Sequence, residues 1–201
     1  IWKINEGNPS ALVLNFYLFG SKNHVEDSLL KSSLQKCNVD LLAFTIDSIG
    51  NFQKSLKEFS IYAKEEGYVK HEYRSYLVSY FRPVVEFKEV IHESLALKVA
   101  RLLSHNLSRK FYVNKSVPIK YRHALRNYIR YEISDLVKYD GLVVEMQNKV
   151  VILGYIGPGD EDKYFTPIGD IDVTTGTGPD TYGSVILANE IRTILDMEKF
   201  K

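Results

Sequence analysis

The chain has 201 residues, of which 45% are hydrophobic and 25% charged, and its formal net charge is +1. This composition excludes general disorder, and the balanced charge gives no global argument for a nucleic acid or a membrane as partner. The single cysteine, Cys37, excludes an internal disulfide and a cysteine zinc site. It favours a reducing, cytoplasmic location, with a secreted protein without disulfides as the open alternative. No apolar run is long enough to span a bilayer, so we expect a soluble domain without a membrane partner.

Apolar strands alternate with amphipathic helices in the first half of the chain. The predicted elements are a strand at 11–19, a helix at 21–36, a strand at 39–46, a helix from Asp47 or Ser48 to 66, and a strand at 76–87 that Pro83 interrupts. This N-terminal β-α-β-α-β unit fits a ferredoxin-like split unit or a small doubly wound sheet, and both remain open.

The second half is predicted to contain longer helices and a hairpin. Helices are predicted at 88–110 and 118–138, two hairpin strands at 141–146 and 149–156, a Gly- and Asp-rich loop at 157–183, and a C-terminal helix at 184–200. The whole pattern predicts the α/β or α+β class. We expect one domain over 1–201, with sub-units at 1–87 and 88–201.

Charge is distributed unevenly along this second half. Residues 98–138 contain ten lysines and arginines against two acids, whereas 140–183 contain eight acids against two lysines. Cations spaced four apart would stack along one face of each predicted helix and repel one another. A nucleic acid or another anionic ligand would offset that repulsion. The candidate anion-binding residues are Arg101, His105, Arg109, Arg122, Arg126 and Arg130.

Acids around the predicted hairpin indicate metal-dependent phosphodiester cleavage. Such chemistry needs carboxylates to hold Mg²⁺ and a lysine near the attacking water. Asp140, Glu145 and Lys149 flank the hairpin, and Glu93 on the preceding helix would be a further ligand. The stretch resembles the PD-(D/E)xK nuclease pattern, which implies a nuclease. It departs from that pattern because residues 154–156 lack the acid and lysine that the second strand should carry.

A second acidic cluster lies in the predicted loop. Asp160, Asp162, Asp170 and Asp172 supply oxygen ligands suited to Mg²⁺ or Ca²⁺, and the spacing differs from that of an EF-hand. A solvated acidic loop is the alternative interpretation. The sequence predicts no cofactor other than such an ion.

Two hypotheses for function follow, and they leave open whether the chain is an enzyme. The first is a protein that handles nucleic acid or a phosphate ligand, as a metal-dependent nuclease would. The second is a non-catalytic protein-interaction domain, such as an adaptor or inhibitor. In the second, the acidic loop and basic helices pair internally or bind a protein partner.

Overall fold

The computed structural model describes residues 1–21, 23–47, 49–104, 107–138, 143–169 and 178–199. Within these ranges the helices are α1 (Trp2–Glu6), α2 (His24–Gln35), α3 (Lys57–Ser60), α4 (Leu95–Leu103), α5 (Ile133–Lys138) and α6 (Gly183–Lys199), with 3₁₀ turns at Leu125–Asn127 and Val144–Met146. The strands are β1 (Ala11–Leu14), β2 (Val39–Ile46), β3 (Phe52–Gln53), β4 (Ala63–Tyr68), β5 (His71–Arg74), β6 (Leu77–Phe81), β7 (Val84–Phe87), β8 (Val90–Glu93), β9 (Val117–Pro118), β10 (Val150–Leu153), β11 (Lys163–Tyr164) and β12 (Thr181–Tyr182). These helices and sheets confirm the predicted α/β or α+β class.

The chain divides into two compact units, each assembled from two chain segments. The first unit contains Ile1–Gly67 and Arg130–Leu153, and the second contains Tyr68–Ile129 and Gly154–Lys201. None of the described helices combines the length and apolar character needed to cross a membrane.

The first unit is built on a sheet whose centre is parallel. β1 pairs in parallel with β10 on one side and β2 on the other, while β3 pairs antiparallel with β2. All four residues of β1 are buried, as expected for a strand covered on both faces. The Asn23 side chain begins α2 by accepting a hydrogen bond from the Glu26 backbone N–H at 2.8 Å. The core contains Ile4, Leu12, Leu14, Leu34, Cys37, Val39, Leu42, Phe59, Leu136, Val143 and Met146.

The second unit combines antiparallel strands with two packed helices. β5 and β6 form a hairpin, β9 pairs with the free edge of β6, and β7 pairs with β8. Lys88 and Glu89 form the β7–β8 turn with φ angles of 49° and 63°, the left-handed backbone that tight hairpin turns need. α4 packs against α6, and both helices bury apolar side chains, among them Leu97 and Ile186.

The predicted helix over 88–110 is too long at both ends. Its first residues form β8, which pairs with β7. The Ser94 hydroxyl then caps α4 by accepting a hydrogen bond from the Leu97 backbone N–H at 3.1 Å. The helix ends at Leu103. Ile91 therefore belongs to a strand, because pairing between hairpin strands overrides an apolar spacing that also fits a helix.

The predicted helix over 118–138 does not form as one element. Val117–Pro118 is a short edge strand beside β6, and regular α-helix begins only at Ile133. The buried Asn189 side chain explains part of this difference. Its Oδ1 atom accepts hydrogen bonds from the backbone N–H groups of Arg122 and His123, at 3.1 and 3.3 Å. Those groups are used by a tertiary contact and are not available to a helical ladder.

Two further predictions are wrong because strands pair with distant partners. The segment predicted as a helix up to 66 contains β3, α3 and β4, and both strands pair with β2. The hairpin predicted over 141–156 is absent from the described residues, since Val144–Met146 is a 3₁₀ turn and β10 lies parallel to β1. The single strand predicted over 76–87 is two strands, β6 and β7, which belong to different sheets and are separated around Pro83.

Candidate functional site

A cleft of about 480 Å³ opens on the second unit. Its lining comes from the β5–β6 hairpin and from the chain that enters β9. The lining residues are His71, Glu72, Tyr73, Tyr80, Arg82 and Ser116. A register shift between Glu72 and Tyr73 interrupts the ladder of this hairpin beside the cleft. The volume lies in the range of small-molecule sites.

Glu72 and Arg82 form the charged wall of the cleft. Arg82 Nε lies 2.6 Å from Glu72 Oε1 as an ion pair, although the N–H bond does not point at that oxygen. The Ser116 hydroxyl donates a hydrogen bond to the other oxygen, Glu72 Oε2. Both carboxylate oxygens therefore have a partner. The Arg82 terminal Nη atoms have none among the described residues, and the side chain is 42% exposed.

His71 connects the cleft to a buried acidic group. Its Nδ1 atom lies 3.3 Å from Glu190 Oε1 on α6, and the two side chains are 7% and 6% exposed. The Tyr164 ring packs edge-on against the imidazole, with centroids 4.8 Å apart. Burial raises the pKa of Glu190 above its ordinary value, and the hydrogen bond and charge of His71 oppose the rise.

Asp162 is a half-buried acid near His71. Burial raises the pKa of its carboxyl group, and the nearby His71 opposes the rise. The Asp162 backbone carbonyl accepts a hydrogen bond from the Gly183 N–H at 3.0 Å, where α6 begins. The Asp162 carboxylate packs directly on Gly183, so a Cβ there would lie 2.6 Å from Asp162 Oδ1. The absence of a side chain at Gly183 leaves the space that Asp162 occupies.

Tyr121 is a third ionisable group near Glu190. Its hydroxyl donates a hydrogen bond to the Val78 carbonyl oxygen at 3.0 Å. Burial raises the pKa of Tyr121, and the negative charge of Glu190 adds to the rise. The tyrosine therefore stays protonated. Across the ranges that the structure covers, His, Cys, Asp and Glu side chains nowhere meet in a group of three that could hold a metal ion.

The predicted catalytic residues lie in different units. Glu145 and Lys149 are exposed in the first unit, on the 3₁₀ turn and just before β10. Glu93 lies on β8 of the second unit, and its carboxylate pairs with Arg101 at 2.8 Å. Asp140 lies outside the described residues.

The predicted anion-binding residues do not share one helical face. Arg101 pairs with Glu93, Arg122 pairs with Asp196 at 3.1 Å, and Arg109 Nη1 donates a hydrogen bond to the Met197 carbonyl oxygen at 3.0 Å. Arg126 lines a smaller cleft, of about 160 Å³, and Arg130 is exposed in the first unit. His105 lies outside the described residues.

Only two of the four predicted metal ligands, Asp160 and Asp162, lie in the described part of the chain. Asp160 pairs with Lys163 at 3.1 Å, and Asp162 is the half-buried acid beside Gly183. Asp170 and Asp172 lie outside the described residues. The Mg²⁺ or Ca²⁺ site therefore stays a prediction.

The sequence interpretation missed His71, Arg82 and Glu190. One signal was available for Glu190. It lies between the apolar residues Leu187 and Ile191 in the middle of α6, and a charged group buried there needs a partner. That partner, His71, is 119 residues away in the chain.

Residues 1–200 match the family model of the CHASE2 domain. The match covers nearly every residue of the sequence, so the chain belongs to the CHASE2 domain family. This is a family of extracellular sensory domains, which bind small ligands and signal. Comparison with curated proteins and with solved structures returned no match.

Family membership corrects the functional hypotheses. The predicted nuclease, and the handling of nucleic acid or a phosphate ligand, are wrong, because a sensory domain has a signalling role. The alternative hypothesis, a non-catalytic protein-interaction domain, gives way to the assignment as a sensory domain. The physical basis of the error is visible in the second unit. The basic face was predicted on long helices, and the segment around Arg122 and Arg126 is extended chain and a 3₁₀ turn.

Proposed function

We propose that this chain is the ligand-sensing domain of a signalling protein, and that its small ligand binds in the cleft over His71. The observation that carries the proposal is the buried His71–Glu190 pair in the wall of that cleft. Burial of two ionisable groups is unfavourable unless they are paired, and such groups concentrate at functional sites. The cleft also presents hydroxyl groups and a charged pair beside aromatic rings, and such polar groups can orient a small polar ligand.

The location proposed for this domain follows the family. CHASE2 domains are extracellular sensors, so we place the ligand outside the cytoplasm. The cytoplasmic location expected from the single cysteine stays a prediction.

A ligand screen with two matched variants tests the site. Tyr73 and Tyr76 belong to the same hairpin region and are 58% and 59% exposed, but only Tyr73 lines the cleft. A library of small polar compounds is screened by thermal shift against the native chain. Hits that bind in the cleft should lose affinity in Tyr73→Ala and keep it in Tyr76→Ala. Hits that bind all three chains equally would contradict the proposal.

A further inference from the structure

We infer that the ligand of the His71 cleft is a small organic carboxylate, held by the outer end of the Arg82 guanidinium. This inference rests on the proposed function, because it assigns a ligand class to the same cleft. It depends on which polar groups in the cleft already have partners and which do not.

Arg82 lines this ligand-sized cleft and has hydrogen-bond donors that the described chain does not use. Its Nε atom forms an ion pair with Glu72 Oε1 without a hydrogen bond, and no hydrogen bond joins its terminal Nη atoms to a described residue. Because Glu72 also lines the cleft, the ion pair keeps the guanidinium beside it. Two N–H groups on the outer end form a fork whose spacing matches the two oxygens of a carboxylate.

The other cleft groups favour a single negative charge. The Glu72 carboxylate lies next to Arg82, so a doubly charged phosphate would be repelled more strongly than a carboxylate. The rings of Tyr73 and Tyr80 provide aromatic surface for the organic part of the ligand. Tyr80 is oriented by Arg74, whose Nη1 lies 3.5 Å from the Tyr80 hydroxyl oxygen.

The Glu72 carboxylate already has a protein partner on each of its two oxygens. The Ser116 hydroxyl donates to Glu72 Oε2, so both oxygens of this carboxylate are satisfied within the protein. An amine ligand that reaches Glu72 would lie beside the Arg82 cation and be repelled by it. A carboxylate ligand can bind Arg82 without displacing either partner of Glu72.

The experiment compares compounds of similar shape and different charge. Benzoate, acetate, benzamide, acetamide, benzylamine and inorganic phosphate are titrated separately into the isotopically labelled chain, and amide chemical shifts are followed by NMR. The variants are Arg82→Gln and the double replacement Glu72→Gln with Arg82→Gln, which leaves no unpaired carboxylate. Arg101→Gln is the matched control, because Arg101 is an exposed arginine in an ion pair that does not line the cleft.

We expect the carboxylates to shift amides of β5, β6 and Ser116, with affinity reduced about tenfold in both Arg82 variants and unchanged in Arg101→Gln. If benzamide, acetamide or benzylamine shifts the same backbone N–H signals, with an affinity that Arg82→Gln does not change, the carboxylate assignment is overturned. The proposed site would remain intact. Stronger binding of phosphate than of benzoate would also overturn it. If carboxylates shift only residues away from the cleft, both the assignment and the proposed site fail.

Discussion

The His71 imidazole and the Glu190 carboxylate lie 3.3 Å apart (Nδ1 to Oε1), and both are more than nine-tenths buried. The pair joins β5 to the middle of α6 within the second unit. Its position means that a change of charge in the cleft wall acts directly on the longest helix of the described chain. This relationship is the basis for expecting ligand binding to be communicated to α6.

The stability of the second unit should depend on the protonation of Glu190. Burial raises the folded-state pKa of this carboxyl above its ordinary value of 4.5. The folded chain therefore binds this proton more tightly than the unfolded chain does. The resulting contribution of Glu190 to the free energy of unfolding is fully present below pH 4.5, and it is lost as the pH rises through the folded-state pKa. Each proton contributes a slope of about 1.4 kcal/mol per pH unit in the free energy of unfolding. Urea unfolding at a series of pH values should show this slope.

A neutral isostere should remove that dependence. Glu190→Gln keeps the shape of the side chain and cannot titrate, so we expect a flatter profile than in the native chain. Asp162, whose pKa is also raised by burial, accounts for the part that remains. Glu86→Gln changes an exposed glutamate of the same unit and is the control. An unchanged slope in Glu190→Gln would contradict this account of the buried pair.

Gly183→Ala should force the Asp162 carboxylate to move. Gly183 is the first residue of α6, so the preference of about 1 kcal/mol for alanine over glycine inside a helix does not apply fully to it. The new Cβ would lie 2.6 Å from Asp162 Oδ1, and that side chain is half-buried. We expect destabilisation of about 1–3 kcal/mol, as in other overpacked sites, measured by chemical denaturation.

Gly20→Ala is the matched control for this substitution. A Cβ at Gly20 would meet no atom within 4 Å. We expect a change within about 0.5 kcal/mol, as at other open surface positions. If Gly183→Ala is as neutral as Gly20→Ala, the close packing of Asp162 on α6 is not a constraint.

The Asn189 side chain should be required to hold the backbone of Arg122 and His123 in place. Its side chain is fully buried, accepts hydrogen bonds from two backbone N–H groups, and donates to the His123 and Val185 carbonyl oxygens at 2.9 Å each. Asn189→Ala leaves those groups without partners and should cost about 2–5 kcal/mol of unfolding free energy. Hydrogen exchange at the Arg122 and His123 amides should become faster.

The N-cap residue Asn23 provides the comparison. Asn23→Ala removes one exposed capping bond to the Glu26 N–H, which typically costs about 1 kcal/mol. Equal effects of the two asparagine substitutions would show that Asn189 is no more important than a surface cap.

Local patterns in the sequence were sufficient for part of the fold. The apolar runs of β1 and β2, the capped α2 and the long α6 each carry their own signal within a short window, and all four are present. The predicted helix over 118–138 failed because its evidence was a proline at a favoured first-turn position. Proline is also favourable in an edge strand, and the local sequence does not report that Pro118 pairs with β6 or that Asn189 binds the backbone of Arg122.

The candidate site was beyond prediction from local patterns. His71 and Glu190 are distant in sequence, and neither residue is unusual in its own segment. Only a charged residue within the apolar run of α6 indicated a buried partner, and it could not identify that partner. The correct functional class came from the family match, because a ligand-sensing cleft has no short motif in this chain.

The most direct measurement of the central claim is hydrogen exchange of the native chain with and without a ligand identified in the thermal-shift screen. We predict slower exchange in β5 and β6 and at Ser116, which surround the cleft, and in α6 around Glu190. Protection confined to the first unit would contradict the assignment of the His71 cleft as the sensory site.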